Sequence, residues 1–441
     1  MNVLFRRAWG WLWDDAFATC IRNAGMLLGG SSVSSALALA TTVLAARALG
    51  PEQFGALVLV QGYVAIVNRL TIFQSWQTLI KFGADALSEG DAVGFSQLVK
   101  FSTFLDGGSA VLGAVVAAAA VQAVKGWLDW TPDVASMATL YSLTIIFRLS
   151  GTPTAVLRLF GRFKALASQQ VIAAGVRLLG TIVAIVAGAG LQGFLMVWLL
   201  SDVAGQLLLL ALGWWELHRQ GHFNALHSSL AGIRARFKGL WGFAVSTSLS
   251  ATVRVLSKEF DIMVVGGMLG SGAAGLYKIA KQFSSILARI SDPLYQAVYP
   301  DLVRLYADID RDGMKRLILR TALLAGSIGF GVWLVVVFFG NVLIGATVGA
   351  DYLTSKPVLV WYMLAVVVAV LATPLQPAML AMGRAKMSFW IHLMTTGLYF
   401  PLLVALVSQF GLVGAGIAYL VYYLLWSASM AGLEWSLLKG G

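Results

Sequence analysis

The sequence predicts an all-α membrane protein in which twelve transmembrane helices form two related six-helix bundles. Its composition, its series of apolar segments and an internal repeat predict this class. Of the 441 residues, 59% are hydrophobic and only 12% are charged, whereas soluble domains are usually about 25% charged. With a mean hydropathy of +0.81, the chain has too little polar surface for a water-soluble fold, and a bilayer is the expected environment.

Apolar segments of about 20 residues, the length that crosses a bilayer as a helix, recur along the whole chain. We count twelve, with approximate centres at positions 35, 65, 112, 143, 178, 203, 255, 286, 330, 368, 398 and 424. The seventh and eighth spans are the weakest because they carry charge. Twelve crossings place both termini on the same side of the membrane.

The distribution of Lys and Arg orients the chain. With the N-terminus in the cytoplasm, that face holds twenty of the 31 basic residues and the opposite face holds three. Both termini are therefore predicted to be cytoplasmic. Trp9, Trp11 and Trp13 indicate a cytoplasmic interfacial segment at the N-terminus. The Arg6-Arg7 pair as an export signal is the alternative.

Three glycine motifs recur in order at a nearly constant offset, which predicts an internal duplication. The matched pairs are LG-x4-G at 49–55 and 269–275, GR-x-K-x10-G at 161–175 and 383–397, and GL-x-G at 190–193 and 411–414. We interpret the chain as an N-terminal lobe (1–217), a basic cytoplasmic linker loop (218–239) and a C-terminal lobe (240–441). Six spans per lobe make the repeats parallel, a common plan of transporters with a cleft between their halves.

Charged residues concentrate in spans 2, 7 and 8, although each costs several kcal/mol in a span unless it faces protein or water. The basic residues are Arg69, Arg254, Lys258, Lys278, Lys281 and Arg289. The acidic residues are Glu259, Asp261 and Asp292, so the excess is 6 − 3 = +3. This excess predicts a hydrated cationic cleft that attracts an anionic substrate, with Gln61 and Asn68 as polar neighbours for sugar hydroxyls.

A structural interpretation of the same charges stays open. Internal salt bridges, such as Lys258 with Asp261, would only hold the bundle together. Snorkelling toward the membrane edge is a further alternative, and it concerns chiefly Arg148 and Arg177 in spans 4 and 5.

Other chemistries are not indicated by the residues present. Cys20 is the single cysteine, so an intrachain disulfide is impossible. His218 and His222 are interpreted as part of an exposed basic loop and not as metal ligands. We therefore expect no enzymatic activity, no metal and no cofactor. Topology accounts for most of the basic residues, so nucleic acid is not an expected partner.

With these features established, the chain resembles the polysaccharide-export branch of the multidrug/oligosaccharidyl-lipid/polysaccharide (MOP) superfamily, which contains the Wzx-type O-antigen and exopolysaccharide flippases. The residues that carry the resemblance are ARALGPEQFG at 46–55, DIMVVGGMLGSGAAGLYKIAKQF at 261–283 and LYQAVYPDLVRLY at 294–306. The resemblance implies a fold like that of MATE transporters, in which spans 1, 2, 7 and 8 line a central cavity.

The resemblance also implies a function. By alternating access, such a protein moves an undecaprenyl-diphosphate-linked oligosaccharide from the cytoplasmic to the periplasmic leaflet of the bacterial inner membrane. Its expected partners are that substrate, membrane lipid, a polysaccharide polymerase and glycosyltransferases. Coupling to H⁺ or Na⁺ is expected, with Asp261 as the candidate group because a buried carboxylate can titrate near neutral pH.

Three alternatives remain beside this hypothesis. Within the superfamily they are a lipid II flippase, a branch that usually has fourteen spans, and a multidrug antiporter, which should have an acidic cavity. From another class, a membrane-embedded glycosyltransferase or polymerase would need paired acids or a large catalytic loop.

Overall fold

The computed structural model describes the backbone of residues 15–289 and 291–439. Within these ranges it describes the side chains outside 15–24, 223, 250–259, 291–293, 295–297, 300, 385 and 439. The structure is built from helices. The α-helices are α1 (Asp15–Thr71), α2 (Ser75–Ser88), α3 (Ala92–Trp127), α4 (Pro132–Ser142), α5 (Gly151–Leu159), α6 (Phe163–Val186), α7 (Leu191–Arg219), α8 (Ile233–Arg236), α9 (Leu240–Leu269), α10 (Ser271–Ala288), α11 (Ser291–Ala307), α12 (Arg311–Thr347), α13 (Lys356–Leu371), α14 (Leu375–Ala381) and α15 (Ala385–Lys439). Short 3₁₀ helices cover Leu143–Phe147, Phe223–His227 and Ala350–Ser355.

Eight helical stretches of the described chain are long and apolar enough to cross a membrane. They are Gly25–Thr71, Ala92–Trp127, Pro132–Leu159, Phe163–Val186, Leu191–Arg219, Arg311–Thr347, Ala350–Ala381 and Lys386–Leu438. The first and the last contain two predicted span centres each, and the other six contain one each. The remaining two centres, at 255 and 286, lie in α9 and α10. The predicted all-α polytopic class is confirmed.

The two longest helices are interrupted by glycines in a left-handed conformation. Gly50 in α1 has a φ of 70° and Gly411 in α15 has a φ of 58°. Pro51 follows the first break and, lacking a backbone N–H, starts a new helix at no cost in hydrogen bonds. The LG-x4-G motif at 49–55 is therefore the junction between two helices. Its counterpart Gly270, with a φ of 87°, separates α9 from α10.

The described chain forms two compact units, which interleave along the sequence. The first unit contains the described residues up to Ala45, together with Tyr63–Gly126 and Trp130–Lys258. The second contains Ala46–Gly62, Trp127–Asp129 and the described residues from Glu259 onward. The lobe boundaries drawn from the repeat, at 217 and 240, stay a prediction.

In the first unit, the linker loop between α7 and α9 is docked on α3. The Gln97 amide and the Lys100 ammonium donate to the carbonyl oxygens of Ser229 and Ser228, at 2.7 and 2.8 Å. His222 packs against Phe95, with ring centroids 4.8 Å apart. Its ring is half-buried, and burial lowers the pKa of His222 below its ordinary value. The loop was predicted to be exposed, but this part of it is packed on the helix.

In the second unit, α13 is the central helix and packs against α10, α12 and α15. Its apolar side chains are buried, among them Val358, Leu359 and Val370 at 0% exposure. The two copies of the LG-x4-G motif also meet in this unit. A Cβ atom added to Gly55 would overlap the Ser271 carbonyl, and one added to Gly275 would overlap the Pro51 carbonyl. The last glycine of each copy is therefore required by close backbone packing.

We predict that Gly275→Val lowers the thermal stability of the protein, because the added side chain forces these backbones apart. Overpacking of this kind typically costs about 1–3 kcal/mol. Gly331→Ala is the matched control, since a Cβ there meets nothing within 4 Å and Ala favours a helix interior over Gly. The melting temperature in detergent checks both variants. An unchanged melting temperature for Gly275→Val would contradict the close packing of the two motifs.

We further predict that acid loosens the docked linker through His222. Because the folded-state pKa of His222 is lowered, the stability from its neutral ring is fully present above about pH 6.5, the ordinary pKa. That stability declines as the pH falls from there through the folded-state pKa. Hydrogen exchange of the amides of 225–240, corrected for intrinsic rates, should show weaker protection at pH 5.5 than at pH 7.5. His222→Phe keeps the ring contact without the titration and should abolish this difference in protection. If the difference persists in the variant, a group other than His222 causes it.

Candidate functional site

The most deeply buried ion pair in the second unit joins α9 to α10. The Asp261 side chain is 2% exposed, and the Lys281 ammonium donates to its two carboxylate oxygens at 2.8 and 3.0 Å. The Tyr277 hydroxyl donates to the same carboxylate at 2.8 Å. Tyr277 and Lys281 are four residues apart and therefore lie on one face of α10.

This pair bears on the structural interpretation of the charges. Asp261 neutralises Lys281, so this cation is not a source of uncompensated positive charge. The partner proposed for Asp261 from the sequence was Lys258, whose side chain lies outside the described residues. The side chain of Arg254, another predicted cavity cation, also lies outside them.

A column of buried and half-buried tyrosines extends from this pair into α13 and α15. The Tyr277 ring meets the Tyr362 ring edge to face at 5.7 Å, and Tyr362 stacks on Tyr419 at 4.2 Å. Tyr419 also contacts Tyr399 and Tyr423, at centroid distances of 6.2 and 4.9 Å. The column thus places several hydroxyl groups in an apolar interior beside one charged pair. Sequence reasoning missed it, although the Tyr spacing in AYLVYYLLW could have indicated one polar helix face.

The other predicted site residues lie in different surroundings. Lys278 is half-buried on α10, and Arg289 is exposed where that helix ends. Gln61 is half-buried and belongs to the second unit, whereas Asn68 and Arg69 belong to the first. Asn68 is 5% exposed and Arg69 is exposed in the last turn of α1. Of the predicted site residues whose side chains are described, the structure shows direct contact between Lys281 and Asp261. The cationic lining stays a prediction.

Asp106 in the first unit is a buried carboxylate that the sequence analysis did not single out. It is 2% exposed. One oxygen accepts from the Ser75 hydroxyl, and the other accepts from the Thr152 amide and hydroxyl at 2.7 and 2.8 Å. Ser75 begins α2 and Thr152 lies in the first turn of α5. Asp106 therefore ties together the N-terminal ends of two helices that follow breaks in the chain.

A second cluster of the first unit forms around Asp202 of α7. Its carboxylate accepts from the Arg177 guanidinium and, at 2.6 Å, from the Tyr141 hydroxyl. Arg148 approaches to 3.8 Å. The snorkelling alternative does not describe Arg148 and Arg177, because both turn toward an acid on a neighbouring helix. No group of three or more potential metal-ligating side chains occurs among the described residues.

The described fold is similar to that of solved membrane transporters. The structure aligns with an inward-facing multidrug-resistance MATE family transporter of the MOP superfamily at a TM-score of 0.74 and 14% identity, over 92% of this chain and 95% of that one. It aligns with the lipid II flippase MurJ, in an inward closed conformation, at a TM-score of 0.70 and 12% identity, over 92% and 87% of the two chains. At such low identity these likenesses show the fold alone.

The sequence itself shows the family. The chain belongs to the polysaccharide biosynthesis protein family, whose sequence model matches residues 43–357. It is 32% identical to the inner membrane protein YghQ of Escherichia coli K12 over 349 residues, which are 78% of this chain and 97% of YghQ. It is 24% identical to the teichuronic acid biosynthesis protein TuaB of Bacillus subtilis 168 over 45% of this chain and 40% of TuaB. The resemblance to the polysaccharide branch of the superfamily is confirmed.

We predict that Asp261 and Lys281 behave as one energetic unit. Loss of one partner leaves a buried charge uncompensated, which typically costs about 3–5 kcal/mol. Asp261→Asn and Lys281→Gln should each lower the melting temperature markedly, and the double variant should recover most of the loss. Lys315→Gln is the control, because its partner Asp312 is 79% exposed and surface pairs contribute about 0–1 kcal/mol. Additive losses in the double variant would show that the pair is not coupled.

Proposed function

We propose that the protein is a flippase. It moves an undecaprenyl-diphosphate-linked oligosaccharide from the cytoplasmic to the periplasmic leaflet during synthesis of a surface polysaccharide such as O-antigen or exopolysaccharide. The observation that carries this proposal is the family match over 43–357 in a chain with the fold of MOP transporters. The family connects the chain with polysaccharide synthesis, and the fold connects it with transport.

The physical task explains why such a fold is needed. A sugar-diphosphate head group carries charges and hydroxyls that lose their water in hydrocarbon, which costs many kcal/mol without replacement partners. The polyprenyl tail can stay in the lipid throughout. A cleft that opens to one leaflet and then to the other, lined by cations and amides, replaces water around the head group. In this proposal the diphosphate is attracted by the cations Arg69, Arg254, Lys258, Lys278 and Arg289. The sugar hydroxyls form hydrogen bonds with Gln61 and Asn68.

Ion coupling is assigned to the pair on α9 and α10. A proton added to Asp261 would remove the charge that holds Lys281, and the Lys281 ammonium would then be drawn toward an anionic substrate. We propose H⁺ as the coupling ion at this carboxylate, with Na⁺ as the alternative. The buried Tyr277 hydroxyl keeps the carboxylate oriented in both states.

Location and partners follow from the same proposal. The relative YghQ is named an inner membrane protein, and we place this chain in the bacterial inner membrane with both termini cytoplasmic, as the Lys/Arg distribution indicates. Glycosyltransferases would build the substrate on the cytoplasmic side, and a polysaccharide polymerase would use it on the other. The protein itself is proposed to transport and not to catalyse.

The lipid II flippase and multidrug antiporter alternatives share the fold but not the family connection. MurJ is named a lipid II flippase, and its likeness to this chain is one of fold. The family match favours a polysaccharide precursor over both alternatives, and over a membrane-embedded glycosyltransferase or polymerase.

We predict that purified protein in liposomes translocates a fluorescent undecaprenyl-diphosphate oligosaccharide. The triple variant Arg69→Gln, Lys278→Gln, Arg289→Gln should be at least about tenfold slower, because each hydrogen bond to a charged group contributes about 1.5–3 kcal/mol. Arg320→Gln is the control: it removes one arginine from an exposed position on α12, outside the predicted lining. A wild-type rate in the triple variant would overturn the cationic lining. Transport of cationic drugs without transport of the oligosaccharide would overturn the proposed function.

A further inference from the structure

The fourth predicted span of the first unit is discontinuous. The 3₁₀ helix Leu143–Phe147 ends before Arg148, and the regular helix resumes only at Gly151. The backbone at 148–150 is therefore non-helical near the centre of a membrane-length stretch, Pro132–Leu159. Such backbone is tolerated in a membrane where it is buried in protein or lines a water-filled cavity. Arg148 occupies the first position of this break.

The Asp202 carboxylate is shared unequally among its three neighbours. Arg177 donates to one oxygen, and the Tyr141 hydroxyl donates to the other at 2.6 Å. Arg148 lies 3.8 Å from the second oxygen, which is beyond hydrogen-bond distance. Each oxygen thus already has a closer donor, and Arg148 has only a longer electrostatic contact.

Arg148 has a donor that nothing in the described chain satisfies. Its Nε atom is buried and has no hydrogen-bond partner among the described residues. Leaving a buried donor of a charged group unpaired costs at least about 1–3 kcal/mol. An acceptor that fits beside the guanidinium would remove this cost.

Arg177, in contrast, is held firmly. Its guanidinium lies over the Trp198 ring at 5.1 Å, and the Trp198 indole N–H donates to the Thr181 hydroxyl at 3.1 Å. This packing fixes one arginine in place beside Asp202. The cluster therefore combines a pre-positioned cation with a second cation whose Nε donor has no acceptor in the described part of the chain.

The charge and exposure of the cluster indicate what the missing acceptor is. Among the described residues, two arginines share this one aspartate, which gives the three side chains a net charge of +1. The side chains of Arg148, Arg177 and Asp202 are 25%, 26% and 22% exposed. Arg177 and Asp202 lie well inside the membrane-length helices α6 and α7. Charged groups at such positions usually face the protein interior or water, so partly exposed arginines here are candidates to meet an anion.

We propose that Arg148, supported by Arg177, Tyr141 and Asp202, forms a binding site for one phosphate-type oxyanion. The planar guanidinium donates two parallel hydrogen bonds to such a group. Asp202 keeps Arg177 in position and limits the net charge to that of one anion. The site lies in spans 4 to 6, apart from the predicted cationic lining of spans 2, 7 and 8, and it does not depend on which substrate the protein moves.

The test uses the full-length protein in nanodiscs of zwitterionic lipid, with inorganic phosphate as the probe and chloride at matched ionic strength. Phosphate should raise the melting temperature in a saturable way, because a ligand that binds only the folded state stabilises it. Arg148→Gln should weaken the apparent affinity at least about tenfold. Arg148→Lys keeps the charge but cannot donate two parallel hydrogen bonds. Its apparent phosphate affinity should lie between those of the wild type and Arg148→Gln. Asp202→Asn should also weaken phosphate binding, because Arg177 loses the carboxylate that keeps it in position.

A second arm separates a soluble anion from a lipid head group. Nanodiscs that contain phosphatidic acid are analysed by native mass spectrometry, which counts the lipids retained by each variant. Retention lost in Arg148→Gln would assign the site to a lipid phosphate, and a response in the first arm alone would assign it to a soluble one. Arg219→Gln is the matched control, since Arg219 also lies over a tryptophan on α7 but is distant along the helix from Asp202. Equal responses of wild type and Arg148→Gln in both arms, or no response in either, would overturn the proposal.

Discussion

The constraint on which the structure depends is that hydrocarbon offers no hydrogen-bond partners. Every helix break and every charge within the membrane must therefore be satisfied by the protein or by water. The first unit shows how this is done at its breaks. The chain leaves helical geometry between α1 and α2 and again before α5. At the first break the backbone N–H of Gln74 donates to the Ser248 hydroxyl at 2.9 Å. The Asp106 carboxylate joins the helices that follow the two breaks, through Ser75 and Thr152.

The same constraint accounts for the buried ion pair of the second unit. A lone Lys281 or a lone Asp261 would be very costly in a buried position, but together they are satisfied with the help of Tyr277. The rings beyond Tyr277 continue a polar but uncharged region through Tyr362 and Tyr419. Tyrosine suits this position because its ring packs as an apolar group while its hydroxyl can bond. The pair is thus surrounded by groups that bond without adding charge.

The features of the fold that could be predicted are those that follow from this constraint alone. Long apolar segments must be helices in a membrane, and the predicted centres accordingly fall in helices. Ion pairing was harder, because it depends on helix rotation and on which neighbours touch. One signal was available: Asp261 lies 270 − 261 = 9 residues before the Gly270 break and Lys281 lies 281 − 270 = 11 residues after it. In a helical hairpin these positions come to similar depths, which favours Lys281 as the partner. Arg177 and Asp202, on either side of the break between α6 and α7, carried a similar signal. Asp106 carried none, since its partners Ser75 and Thr152 lie 31 and 46 residues away in sequence.

Counting charges along the spans treats every cation as equivalent, and the structure shows why this is insufficient. Lys281 has a carboxylate at hydrogen-bond distance, and its charge is not available to a ligand unless Asp261 is protonated. Arg148 is near an acid whose oxygens are already occupied, so its charge and its Nε donor remain available. A cation in a membrane protein attracts a ligand more strongly when no carboxylate lies beside it, or when the neighbouring carboxylate already accepts from other donors. Arg148, for which snorkelling was one alternative, therefore meets the physical requirements for anion binding better than Lys281, a residue of the predicted cationic lining.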